Sequence, residues 1–145
     1  MAEAVTTFVC ERRVAFSDTD SAGIVHFASF FRYMEDCEHA FVRSLGGSVH
    51  VDLPGGGFRG FPRVSASCDY LAPLRFEDVF TVTLTVEQRR RRSLVYGFTF
   101  TRGAEVVARG STAVVCCARG APGEPLRAVP LPDELAGVVG REGGG

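Results

Sequence analysis

Between Phe27 and Leu45 the apolar residues recur at steps of three and four: Phe27, Phe30, Phe31, Met34, Cys37, Phe41 and Leu45. That is the spacing of one helix face, and Arg32, Glu35, Asp36, Glu38 and Arg43 fill much of the rest. The pattern predicts a helix of about five turns at ~3.6 residues per turn, ended by Gly46-Gly47. Further on the period becomes two. Val82, Leu84 and Val86 alternate with Thr81, Thr83 and Thr85, and Leu94, Tyr96, Phe98 and Phe100 share one face of the run 93–101. Such alternation predicts half-buried strands. A turn at Arg102-Gly103 leads to a last strand over 104–118, with Gly110 as a bulge. Two further strands are expected: 8–17, of mixed pattern, and 63–71, bounded by Pro62 and Pro73. The Gly-rich run 46–60 reads as a mobile loop. Past Gly120 a short helix is expected over 132–139, and the final REGGG reads as disordered.

A strand, a long helix and then four strands joined by short turns imply an α+β fold, a five-stranded antiparallel sheet wrapped around a central helix. At 145 residues the chain reads as a single domain over 1–145, its core at about 8–118 and an extension over 119–145. A chain of this length buries a core without staples.

Composition narrows the function. The net charge of −1 gives no overall pull toward nucleic acid or an anionic membrane. All 16 basic residues are Arg, which with abundant Ala and Gly reads first as GC-rich codon usage. The five Cys (10, 37, 68, 116, 117) are odd in number and contain no CxxC pair, so neither a zinc site nor a disulfide framework is indicated. Reduced core cysteines are the default. The start MAEAVTTF lacks the order of a signal peptide, and no apolar run approaches the ~20 residues of a membrane span. A cytoplasmic location is expected.

The candidate chemistry lies where the polar run FSDTDSAG meets the helix. The first turn of a helix presents unpaired N–H groups and the positive end of the macrodipole, so a carbonyl held there is polarised as in an oxyanion hole. Asp20, a few residues upstream, could reach the same carbonyl as nucleophile or base, and Gly23 permits the tight turn between them. On spacing alone, Asp18 and Asp20 read first as turn residues. A second feature is Arg89-Arg90-Arg91-Arg92-Ser93, at the junction of two strands. Four guanidinium groups in a turn make a focused anion site; the plain alternative is a solvated charge run that blunts a sheet edge.

The run DTDSAGIVHFASFFRYME, Asp18 to Glu35, resembles the signature of the 4-hydroxybenzoyl-CoA thioesterase-like family, which has the hotdog fold. The resemblance spans roughly residues 8–118. It implies an acyl-CoA thioesterase in which Asp20 is the catalytic carboxylate, as nucleophile or general base. The oxyanion donor would be a backbone N–H near Phe27. His26 would shape the pocket, donate a hydrogen bond or move a proton. The resemblance assigns Arg90, Arg91, Arg92 and Ser93 to the coenzyme A phosphates, and Glu35 to the neighbourhood of the acyl pocket. Phe61 stands where relatives acting on aromatic acyl-CoA can carry a hydroxyl residue, a departure at a substrate-binding position. A homodimer or a tetramer of dimers is implied, with no metal or redox cofactor, coenzyme A being part of the substrate. An acyl-carrier-protein substrate and a non-catalytic acyl-CoA binding module are the alternatives. A hotdog dehydratase would place His and Asp differently.

Overall fold

The computed structural model describes residues 4–141. Its elements in chain order are β1 (Thr7–Arg13), α1 (Ser29–Ser44), β2 (His50–Leu53), β3 (Gly57–Gly60), β4 (Arg63–Tyr70), β5 (Val79–Arg89), β6 (Ser93–Arg102), β7 (Glu105–Val115), β8 (Cys117–Arg119) and β9 (Arg127–Ala128). A five-stranded antiparallel sheet runs in the order β1-β5-β6-β7-β4, and a smaller one in the order β2-β3-β8-β9. The expected α+β architecture is present: α1 lies against the large sheet.

The alternation read from the sequence is the inward face of that sheet. Val82, Leu84, Val86, Leu94, Tyr96, Phe98 and Phe100 are buried, and the intervening threonines are not. From α1, Phe30, Tyr33, Met34, Cys37 and Phe41 meet them. Aromatic edges fit this interface, with Phe30 on Phe100 at 5.3 Å and Tyr33 on Phe80 at 4.9 Å between ring centroids. Such tilted and edge-to-face pairs add to the area-driven burial.

Several expectations are corrected. Within the run 46–60, residues 50–60 form a β-hairpin, β2 paired with β3. Its glycines make the turn and the packing: Gly55 and Gly56 take φ +86°, and a Cβ on Gly57 would overlap the Arg119 carbonyl of β8. Gly110 is no bulge. It pairs in register with both Cys68 and Phe98, and the irregularities fall elsewhere. A Cβ there would come within 2.5 Å of Met34 Sδ, so Gly110 lets the helix approach the sheet. The strand expected over 104–118 breaks at Cys116, where the chain passes from the large sheet to the small one. The helix expected over 132–139 is one 3-10 turn, Asp133–Leu135; Leu135 in it and Val138 after it are buried in the core. The disorder expected for REGGG lies, past Arg141, outside the described residues. Among the described residues no helix is long and apolar enough to cross a membrane.

Candidate active site

The segment from Val14 to Ala28 joins β1 to α1, and the two acids in it have different fates. Asp18 is 4 % exposed. Its carboxylate accepts the Ala15 N–H at 3.0 Å and the Tyr33 hydroxyl at 2.7 Å, and pairs with Arg32. Its carbonyl accepts the His26 N–H at 2.8 Å and the Ser29 hydroxyl at 3.1 Å. Burial pushes this carboxyl up, but the Ala15 N–H, the Tyr33 hydroxyl and the Arg32 and Arg12 guanidiniums together outweigh it and leave it below its ordinary value. Asp18 is therefore a brace that ties the loop to the helix.

Asp20 is half-buried and uses one oxygen to hold a turn. Its Oδ1 accepts the Ala22 N–H at 2.9 Å, while the backbone pairs Asp20 N–H with Ile24 C=O and Gly23 N–H with Asp20 C=O. Gly23, at φ +82°, sits where a side chain would be strained. The second carboxylate oxygen has no hydrogen-bond partner among the described residues. The turn sends the chain back past residues 74–75: Ile24 bridges Arg75, and the Val25 N–H bonds the Leu74 carbonyl at 2.8 Å. Between these segments and the start of α1 lies a cavity of about 430 Å³. Asp20, Phe27, Phe30, Tyr70, Leu71 and Leu74 are among the residues lining it. Its wall is thus aromatic and aliphatic, with one carboxylate and one phenol.

The helix starts later than the periodicity predicts, at Ser29, and Phe27 lies before it, 63 % exposed. The hydrogen bonds explain the delay. The Tyr70 hydroxyl donates to the Phe27 carbonyl at 2.9 Å, and the Phe31 N–H goes instead to Ala28. The Ala28 N–H donates to His26 Nδ1 at 3.2 Å. The Ser29 N–H donates to the His26 carbonyl at 2.9 Å, and the other end of that same peptide unit is the Phe27 N–H. Among the described residues this N–H has no acceptor. A hydrogen bond to the carbonyl of a peptide polarises its N–H, so Phe27 offers a free, activated donor beside the cavity that Asp20 lines.

The other residues singled out in the sequence are dispersed. His26 stacks on Phe27 at 4.6 Å and spends Nδ1 on Ala28. Glu35 pairs with Arg63 at 3.2 Å and is not among the cavity-lining residues, and Phe61, partly buried, packs against the core just before β4. Arg63 also pairs with Glu38, which is 2 % exposed. Burial pushes Glu38 above its ordinary range; Arg63 opposes this and Glu35 adds to it. Arg90, Arg91 and Arg92 are exposed in the turn before Ser93, and none of Arg89 to Arg92 has an acidic partner among the described residues. That turn is remote from the cavity. Phe100, which packs on the cavity residue Phe30, pairs with Val82, and the seven steps from Val82 to Arg89 extend about 23 Å at ~3.3 Å each. Tyr70 escaped the sequence reading: its partner Phe27 lies 43 residues away, and no local signal joins them. Among the described residues no group of three or more His, Cys, Asp or Glu could hold a metal ion.

Residues 22–116 match the model of the family described as the thioesterase superfamily. A 1,4-dihydroxy-2-naphthoyl-CoA hydrolase of Synechocystis is 33% identical over 114 residues, 77% of this chain and 82% of that one. A 4-hydroxybenzoyl-CoA thioesterase of Pseudomonas is 26% identical over 138 residues, 91% of this chain and 94% of its own. Among solved structures, that of a gentisyl-coenzyme A thioesterase superposes with a TM-score of 0.74 at 26% identity, covering 89% of this chain and 99% of the other.

Proposed function

The chain belongs to the thioesterase superfamily and is a thioester hydrolase of hotdog fold, and from this we propose that it hydrolyses an aromatic acyl-CoA to the free carboxylate and coenzyme A. The observation that carries the reading is the shared cavity: Asp20, with one carboxylate oxygen unpartnered among the described residues, and Phe27, whose N–H has no acceptor among them, both line one apolar, aromatic-walled space. The thioester carbonyl would lie with its oxygen on the Phe27 N–H, where charge develops in the tetrahedral intermediate. Asp20 then acts in one of two ways. As nucleophile it attacks the carbonyl carbon, the C–S bond breaks, and water opens the resulting anhydride. As general base it takes a proton from the attacking water. His26, with Nδ1 accepting from Ala28, supports the loop in either case.

Phe27, Phe30 and Tyr70 give the cavity flat apolar walls suited to an aryl group. The three relatives compared above are named for aromatic acyl-CoA substrates. The guanidiniums of Arg90, Arg91 and Arg92, which have no acidic partner among the described residues, suit the coenzyme A phosphates together with Ser93. Since the turn and the cavity sit toward opposite ends of β5, we assign the phosphate and acyl contacts of one substrate to different protomers of a homodimer, or of a tetramer of dimers. The edge strand β4, exposed along most of its length, offers a surface for that association. A sedimenting monomer with full turnover would contradict it.

The test is free-thiol release from benzoyl-, hydroxybenzoyl- and naphthoyl-CoA beside acetyl-, butyryl- and palmitoyl-CoA. The expected result is a kcat/KM about tenfold or more higher for the aryl esters. A preference for aliphatic esters would overturn the aromatic assignment. No turnover of any CoA ester would overturn the coenzyme A reading.

A further inference from the structure

We propose that Tyr70 is a positioning residue for this reaction, fixing the peptide that carries the oxyanion donor. The inference rests on the reading of the Phe27 N–H as that donor. Tyr70 ends β4, and its hydroxyl crosses to the Phe27 carbonyl at 2.9 Å. Its ring packs edge-on against Phe30, with centroids 5.1 Å apart and planes at 77°, which holds the hydroxyl in place. Phe27 is joined to two peptide units. The one before it is held by the Ser29 N–H on the His26 carbonyl. The one after it is held at both ends, by the Tyr70 hydroxyl on its carbonyl and by His26 Nδ1 on the Ala28 N–H. With both neighbouring planes fixed, Phe27 cannot rotate, and its own N–H keeps one direction.

Without the phenol, the Phe27 carbonyl loses the bond that ties it to the end of β4, and the Phe27–Ala28 peptide is held only through the Ala28 N–H on His26 Nδ1. That peptide plane can then rotate and turn the Phe27 N–H with it. Tyr70 thus anchors the helix start to β4 at the residue whose N–H is taken as the donor. Cys68 sits beside the Tyr70 hydroxyl; burial pushes both groups upward, so each keeps its proton and the phenol remains a donor.

Tyr70→Phe isolates this role, because it keeps the ring that lines the cavity and removes only the hydroxyl. Wild type, Tyr70→Phe and Asp20→Asn are compared on one aryl-CoA ester, with melting temperatures measured in parallel. The expected result for Tyr70→Phe is a kcat lower by about tenfold, within the range for groups that set a donor's geometry, with KM within about twofold of wild type and an unchanged melting temperature. A kcat equal to wild type would overturn the inference. So would a raised KM at full kcat, which would make Tyr70 a wall contact of the acyl group. If Asp20→Asn is inactive while Tyr70→Phe matches wild type, only the Tyr70 assignment fails. If Asp20→Asn keeps wild-type turnover, the reading of the site fails and the role of Tyr70 with it.

Discussion

Asp20→Asn is expected to lower kcat by about 10³–10⁴-fold, the scale on which enzymes lose a general base or nucleophile, with little change in stability. The geometry separates these two effects. The Ala22 N–H needs an acceptor at Oδ1, and an asparagine carbonyl supplies one. The turn at Gly23 and the bridge from Ile24 to Arg75 therefore survive. The position loses the negative charge and the basic oxygen, the atom that the proposed mechanism uses. Substrate affinity should persist, since the walls and the Phe27 N–H are untouched. Steady-state thiol release with a parallel binding measurement checks this. A variant that binds and turns over like wild type would remove Asp20 from the mechanism.

Asp18→Ala should behave in the opposite way, as a folding defect. The side chain accepts from the Ala15 N–H and from the Tyr33 hydroxyl, and Tyr33 is fully buried. Removing the acceptor strands these donors, at ~1–3 kcal/mol for each buried unsatisfied group. A total of about 3 kcal/mol corresponds to ~6–12 °C in melting temperature for a chain of this size. The pH dependence has a definite sign. The folded-state pKa of Asp18 lies below its ordinary 3.8, so the stability it contributes is present above pH 3.8 and is lost as pH falls through the lower folded value. The difference between wild type and Asp18→Ala should be full at pH 7 and shrink below pH 3.8. Thermal melts across that range test it, and a difference independent of pH would show that the carboxylate charge is not what braces the loop.

The contrast between these neighbours marks the limit of what the sequence discloses. Both are aspartates in one polar turn, two positions apart, and spacing alone leaves both as turn residues or both as candidates. What distinguishes them is a phenol fifteen residues later on the buried face of α1, which turns toward Asp18. The large sheet and the helix were legible because periods of two and of three to four are imposed by burial itself. The β2–β3 hairpin was not, since glycines that fit a close approach to β8 look in sequence like glycines of a loose loop. The cavity was legible on one side: the loop and helix start are contiguous, but its opposite wall, Tyr70 to Leu74, comes from the end of β4 and the segment after it. The tie between the start of α1 and the end of β4 was hidden for the same reason, because the Tyr70 hydroxyl that reaches the Phe27 carbonyl comes from that distant strand.

The most direct test of the central claim is a crystal structure of the Asp20→Asn protein with an aryl ketone analogue of the CoA thioester, in which a methylene group replaces the scissile sulfur linkage. The aryl group is expected in the cavity between Phe27, Phe30 and Tyr70, with the ketone oxygen about 3 Å from the Phe27 nitrogen and the carbonyl carbon facing residue 20. An aryl group seated elsewhere, for example beside Glu35 and Arg63, with the Phe27 N–H making no contact, would contradict it.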